Sequence, residues 1–138
     1  MLEKAHIKQI LIEQCELLGM EIALFSIIEK QFPLTVKTIC YLENNQELTN
    51  FSYPVINAPC DRVFKSGIYL CSKNVSDKFP NDLDLKRLFL QSYAGIVINK
   101  NDKICGHLAF MSKNPIVSVP RIENTLKKCA ARIEKIVL

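Results

Sequence analysis

The side chains with the widest chemical range in this chain are six cysteines (Cys15, Cys40, Cys60, Cys71, Cys105, Cys129) and two histidines (His6, His107). A thiolate is the nucleophilic form of cysteine, and a helix N-terminus favours it by lowering the thiol pKa. Cys60 directly follows Pro59, a residue suited to the first helical position. That placement raises a redox-sensing role for Cys60, or a thiol enzyme with Cys60 or Cys71 as nucleophile and His107 as base. The plainer reading is a small buried residue that anchors a short helix. Cys60 and Cys71 flank a turn and are candidates for mutual approach. No Cys-x-x-Cys pair is present and both histidines are isolated, so no structural zinc site is expected. His107 follows Gly106 and is a candidate haem ligand or titrating group, against the plainer reading of a hydrogen-bonded or solvated side chain. His6 reads as surface. No nucleophile elbow accompanies either histidine, so the chain is not expected to be an enzyme.

Composition narrows the classes further. The chain has 138 residues, 49% hydrophobic and 23% charged. That suits one domain, residues 1–138, burying roughly 70% of its unfolded surface. Such a core needs no disulfide framework, so the six thiols are expected to be reduced, with Cys15 and Cys129 on helices and Cys40 and Cys105 on strands. The formal charge of +4 is spread along the sequence, with no basic run longer than Lys86-Arg87 or Lys127-Lys128. Nucleic-acid binding would need a basic stripe and is not expected. Glu13, Glu16 and Glu21 interrupt the apolar N-terminal stretch, which excludes a signal peptide and a membrane span, and a cytoplasmic setting is the expectation.

The elements that would position these groups follow from periodicity and turn chemistry. Ile7, Ile10, Leu11, Gln14 and Leu18 trace one helical face that should stop at Gly19, a left-handed cap. Residues 20–28 form an apolar strand ahead of the polar Glu29-Lys30-Gln31 and Pro33. Residues 36–42 and 48–53 read as strands joined by a turn at Glu43-Asn44-Asn45-Gln46. Pro59 opens a short helix over 60–65 that Gly67 ends, and 68–71 form an edge strand. A helix over 83–90, capped by Asn81 or Asp82, should turn Leu85, Leu88 and Phe89 inward. Residues 93–98 and 104–111 form a hairpin across residues 99–103. Its Asn-Lys-Asn-Asp tetrapeptide matches a GTPase specificity motif, but no phosphate-binding loop precedes it. A last helix follows Pro115 and Pro120. The loop-rich stretch between the third strand and the final hairpin reads as a lid over a binding site.

Read together, N-F-S-Y-P at 50 to 54, A-P-C-D-R-V-F at 58 to 64, F-P-N-D at 79 to 82, Q-S-Y-A-G-I at 91 to 96 and G-H-L-A-F at 106 to 110 carry a family pattern. In order and spacing they resemble a GAF domain, of the subgroup found beside histidine kinases and cyclic-dinucleotide output domains in bacterial signalling chains. The resemblance implies an α+β, PAS-related fold. Its antiparallel sheet would have five or six strands, with terminal helices on one face and short helices capping the other. It implies a non-catalytic sensory or regulatory domain with a small-molecule pocket between sheet and lid. Carried over by position, the ligand-binding residues would be Tyr69, Cys71, Phe79, Phe89, Tyr93 and His107, although Phe79 and Phe89 serve equally as core. The cyclic-nucleotide signature Asn-Lys-x-Phe-Asp-Glu, the Cys-His pair of bilin attachment and the cysteine context of methionine-sulfoxide reductases are all missing. The cofactor is therefore unknown, with no metal, nucleotide or bilin signature.

In the last helix Ile122, Leu126, Cys129, Ile133 and Ile136 repeat at heptad-type spacing. They form a candidate dimer seam, and a homodimer through the terminal helices is the expected partner. Covering the sheet is the alternative use of the same residues. Another alternative is a degenerate scaffold whose pocket is filled by bulky lid residues. The pattern runs to Leu138, which reads as a segment of a larger signalling protein.

Overall fold

The computed structural model describes residues 4–137, so residues 1–3 and Leu138 of the expected domain lie outside the described residues. Helix α1 spans Lys4–Leu18 and ends as expected, with Gly19 at φ +68. Strands β1 (Ile22–Gln31) and β2 (Leu34–Glu43) form the first hairpin. β1 runs three residues beyond Ile28 because Lys30 and Gln31 pair with Thr35 and Leu34 across a turn at Phe32-Pro33. Their polar character follows from exposure at the projecting hairpin end, not from a loop.

The strand expected over 48–53 is divided into β3 (Gln46–Glu47) and β4 (Ser52–Pro54), both paired with β2. Asn50 accounts for the break. Its side chain accepts from the Thr38 hydroxyl at 2.9 Å and donates to the Ile39 carbonyl at 3.1 Å, displacing backbone partners between the two pieces. Asn44 and Asn45, both at positive φ, close the turn into β3.

α2 (Pro59–Ser66) starts at Pro59 and is stopped by Gly67 at φ 86, after which β5 (Ile68–Cys71) forms an edge of the sheet. α3 (Val75–Lys78) and α4 (Leu83–Arg87) are single turns, α4 being shorter than the helix expected there. β6 (Ser92–Lys100) and β7 (Lys103–Ser112) form the second long hairpin, turned at Asn101 and Asp102 with positive φ at both. α5 (Val119–Val137) completes the chain.

Among the described residues the sheet has seven strands, more than the five or six expected because β3 and β4 pair separately with β2, in the order β3-β2-β1-β7-β6-β5 with β4 beside β2, and all pairings are antiparallel. Both faces are covered. On β1 and β7 alternate residues divide cleanly: Ala23, Phe25, Leu108 and Phe110 pack with α1 and α5. Ile22, Leu24 and Ala109 pack with Val63 of α2, Val75 of α3 and Leu85 of α4. Two-sided burial is what makes these strands nearly continuous apolar runs.

The proposed seam lies inside this arrangement. Ile122, Leu126, Cys129 and Ile133 are 4% exposed or less, packed beneath α1 and against the sheet, with Ile136 half-buried beside them. Their spacing serves the chain's own core, which corrects the expectation that this stripe faces a second copy.

No described helix is long and apolar enough to cross a membrane.

Candidate functional site

Between the lid face of the sheet and the segment from β4 through α4 lies a cavity of about 390 Å³. Its floor is Leu24, Tyr93, Ala109 and Met111 of the sheet. One wall is Tyr41, Phe51, Tyr53 and the loop from Ile56 to Cys60, and the other is Asn81 to Leu85 with Arg87, Leu88 and Leu90. A lid packed on the sheet is thus present, but its bulky residues leave space, contrary to the filled pocket considered as an alternative.

Turn geometry at the end of α4 decides which lid residues face inward. The Leu90 N–H donates to the Leu85 carbonyl at 2.9 Å and the Phe89 N–H to the Lys86 carbonyl at 3.1 Å, the paired bonds of a Schellman ending. Leu85 and Leu90 meet in the core, each 2% exposed, while Phe89 takes the left-handed position at φ 56 and is 75% exposed. Phe89 therefore neither faces inward nor lines the cavity. A phenylalanine carries no local signal for a position where glycine is usual.

Of the six residues carried over from the family pattern, only Tyr93 lines the cavity. Tyr69 and Phe79 stack edge to face at 6.0 Å, with the Arg62 guanidinium 5.9 Å and 5.7 Å from their ring centroids. With the buried Cys71, whose thiol donates to the Lys73 carbonyl at 3.2 Å, they close the β5 side of the lid. His107 lies on the same sheet face but under α2. Its Nδ1 is hydrogen-bonded to the Ser26 hydroxyl at 2.5 Å, its ring lies 5.1 Å from that of Phe64, and its Nε2 has no hydrogen-bond partner.

Burial alone holds the His107 imidazole down to a pKa of about 3, from 6.5. The folded chain consequently binds fewer protons than the unfolded chain between those values. The contribution of this group to stability is complete above about pH 6.5 and falls by about 1.4 kcal/mol per pH unit as acidity rises towards its folded pKa. At about pH 5 the loss reaches roughly 2 kcal/mol, or about 5–10 °C in melting temperature. Melting curves of the wild type should thus steepen in pH dependence relative to His107→Gln, whereas parallel curves would contradict the assignment.

Cys60 shows why its helix position does not make it reactive. The thiol is 4% exposed, and burial pushes its pKa up to about 11, outweighing the hydrogen bond it shares with the Tyr53 hydroxyl at 3.4 Å. The burial speaks against the low-pKa sensor weighed for Cys60 and agrees with the plainer reading of a buried residue that anchors α2. Cys60 and Cys71 belong to different packing clusters, and neither sulfur has His107 among its hydrogen-bond partners. The Cys-His catalytic pair is not assembled. All six cysteines are free thiols.

What the cavity does contain is an aromatic and hydroxyl-rich wall that the family mapping passed over. Tyr41 meets Phe51 edge to face at 5.3 Å, and Phe51 meets Tyr53 at 5.5 Å. The Tyr41 hydroxyl donates to the Glu43 carboxylate. Tyr93 is 2% exposed, and its hydroxyl is buried with the Cys60 thiol as its polar neighbour. A signal for this wall existed in the sequence, since Phe51 and Tyr53 are the aromatic letters of the N-F-S-Y-P segment. On the opposite wall, burial raises the Asp82 carboxyl above its ordinary range and Asp84 adds to the rise, against the pull of the Leu85 and Asp84 N–H groups.

No protein-family model matches this sequence, and no curated protein matches it. Solved structures do. The GAF domain of A. aeolicus nlh2, in an inactive state, superposes with a TM-score of 0.73 at 14% identity, covering 99% of this chain and 85% of that one. The GAF domain of an Acinetobacter phosphoenolpyruvate-protein phosphotransferase gives 0.70 at 11% identity, over 97% of this chain and 80% of that one. The chromophore-binding domain of a Stigmatella aurantiaca phytochrome gives 0.72 at 10% identity over 99% of this chain, which spans 54% of that longer domain. The chain has the fold of a GAF domain.

Proposed function

We propose that this domain is a non-catalytic sensory or regulatory module that binds a small molecule in the cavity between sheet and lid. The observation that carries the reading is a space of about 390 Å³ between sheet and lid, walled by the aromatic rings of Tyr41, Phe51 and Tyr53 and by Asn81, Asp82 and Leu85. A volume in the range of about 300–1,000 Å³, mostly apolar walls and a few converging polar groups are the usual properties of a ligand site. Burial of Cys60 and Cys71 and the position of His107 under α2 support the non-catalytic part of the reading.

Signal transmission has a physical route in the same proposal. Tyr93 of the cavity floor lies on β6, and the Asn99 N–H at the far end of that strand donates to the Glu134 carboxylate of α5 at 2.8 Å. A ligand that favours one lid arrangement shifts the populations of the sheet and of α5 together. Pairing of copies and connection to a histidine-kinase or cyclic-dinucleotide output domain would then use the outward surfaces of α1 and α5, where Leu17 is 55% exposed.

Native mass spectrometry of the protein purified from cells tests the binding. The expected result is a retained small molecule that leaves on denaturation, and a protein that carries nothing and takes up nothing from a cell extract would favour a scaffold role instead.

A further inference from the structure

The charge and ring distribution of the cavity goes beyond its being a ligand site. Three aromatic side chains, Tyr41, Phe51 and Tyr53, form one continuous wall, held by the 5.3 Å and 5.5 Å ring contacts. Facing them are two carboxylates, Asp82 and Asp84, and one cation. Arg87, the sole cationic side chain lining the cavity among the described residues, is paired with Asp84 at 3.3 Å. Asp82 is half-buried and has no ion-pair partner among the described residues. It is near enough to the floor to act electrostatically on Tyr53, Cys60 and Tyr93. At the mouth, Ile56 and Leu83 are 66% and 73% exposed, an apolar rim continuous with the aromatic wall. The negative face of an aromatic ring attracts cations, and a nearby carboxylate reinforces the attraction where water is partly excluded.

We propose that this cavity selects a small organic cation, an ammonium group carried on an apolar body, over neutral and anionic molecules of the same shape. The charged head sits between the Tyr41–Phe51–Tyr53 wall and Asp82, and the apolar body rests against Ile56 and Leu83. This rests on the reading of the cavity as a ligand site. An anion would meet Asp82 and Asp84 with only the already paired Arg87 to receive it.

A matched series separates the sign of the charge from shape: protonated cyclohexylmethylamine, cyclohexylmethanol and cyclohexanecarboxylate, titrated at neutral pH. The protein has no tryptophan and four tyrosines, three of which line the cavity, so intrinsic tyrosine emission reports occupancy directly. The amine should bind about tenfold or more tighter than the alcohol, the yield of about 1.4 kcal/mol of ring and carboxylate attraction. The carboxylate should bind weakest. Asp82→Asn, and separately Tyr53→Leu, should reduce the amine's advantage over the alcohol to a few-fold. Equal or tighter binding of the alcohol or carboxylate, survival of the amine's advantage in both variants, or failure of all three to bind would overturn the preference for a cation. In the first two of those outcomes the cavity still binds, so the ligand-site reading would stand while this inference fell.

Discussion

Ile133→Glu should abolish the fold. Ile133 is fully buried beneath α1 and the sheet, in the same cluster as Ile7, Phe25 and Leu126. Placing a carboxylate there removes a packed side chain at a cost of about 2–5 kcal/mol and adds the penalty of an unpaired buried charge. A domain of this size has about 5–15 kcal/mol in total, so far-ultraviolet circular dichroism and solubility should report an unfolded or aggregated chain. A folded, merely monomeric variant would show that the stripe does face a second copy. Leu17→Glu, on the exposed outer side of α1, is the change suited to probing self-association, and its effect on stability should stay within about 0.5 kcal/mol.

Gly106→Ala should be nearly as damaging, although it adds a single carbon. A Cβ at this position would lie 1.9 Å from the Ser26 carbonyl oxygen and 2.8 Å from its carbon, both backbone atoms of the neighbouring strand. Gly106 pairs with Ile27 beside the register shift in β1, so the methyl group can be accommodated only by parting β1 from β7 at the centre of the sheet. A loss of more than about 3 kcal/mol is expected from chemical denaturation, at the upper end for overpacking. Gly95→Ala is the informative comparison. There the added carbon would meet the Val63 methyl at 2.6 Å and the Tyr93 hydroxyl at 2.7 Å, side-chain atoms that can give way by lifting α2. A Gly106→Ala protein as stable as the wild type would mean that the strands are not so closely apposed.

Elements whose signals are local were legible in the sequence. Gly19 and Gly67 end their helices at positive φ, Pro59 begins α2, and residues 68–71 form the edge strand. Turns at Asn44-Asn45 and Asn101-Asp102 followed from the tolerance of these residues for the left-handed region. Elements set by tertiary contact were not. The polar end of β1 pairs because β2 returns beside it, and Asn50 interrupts a strand that alternation alone would continue.

The candidate site was legible by segment and not by side chain. Position within a family pattern located the lid, but Tyr69, Cys71 and Phe79 pack on one another while Tyr41, Phe51 and Tyr53 form the wall. Tyr69, Cys71 and His107 are on the lid face of the sheet, as expected, but lie under α2 and along β5 and not under the segment that borders the cavity, a placement set by where the lid packs. Cys60 illustrates a competition of magnitudes: the helix N-terminus lowers a thiol pKa, and complete burial raises it further.

The central claim, that the lid encloses a working ligand site on the sheet, is tested most directly by methyl NMR. A low-molecular-weight cell extract would be added to the labelled wild type and to Ala109→Leu, whose larger side chain fills the cavity floor. The account predicts shifts confined to methyls of the cavity lining, Leu24, Ile56, Leu83, Leu85, Leu88, Leu90 and Met111, in the wild type, and their loss in the variant while its remaining spectrum stays folded. An unchanged wild-type spectrum, or shifts confined to the groove lined by Leu18, Ile116 and Ile122 between the end of α1 and the start of α5, would contradict it.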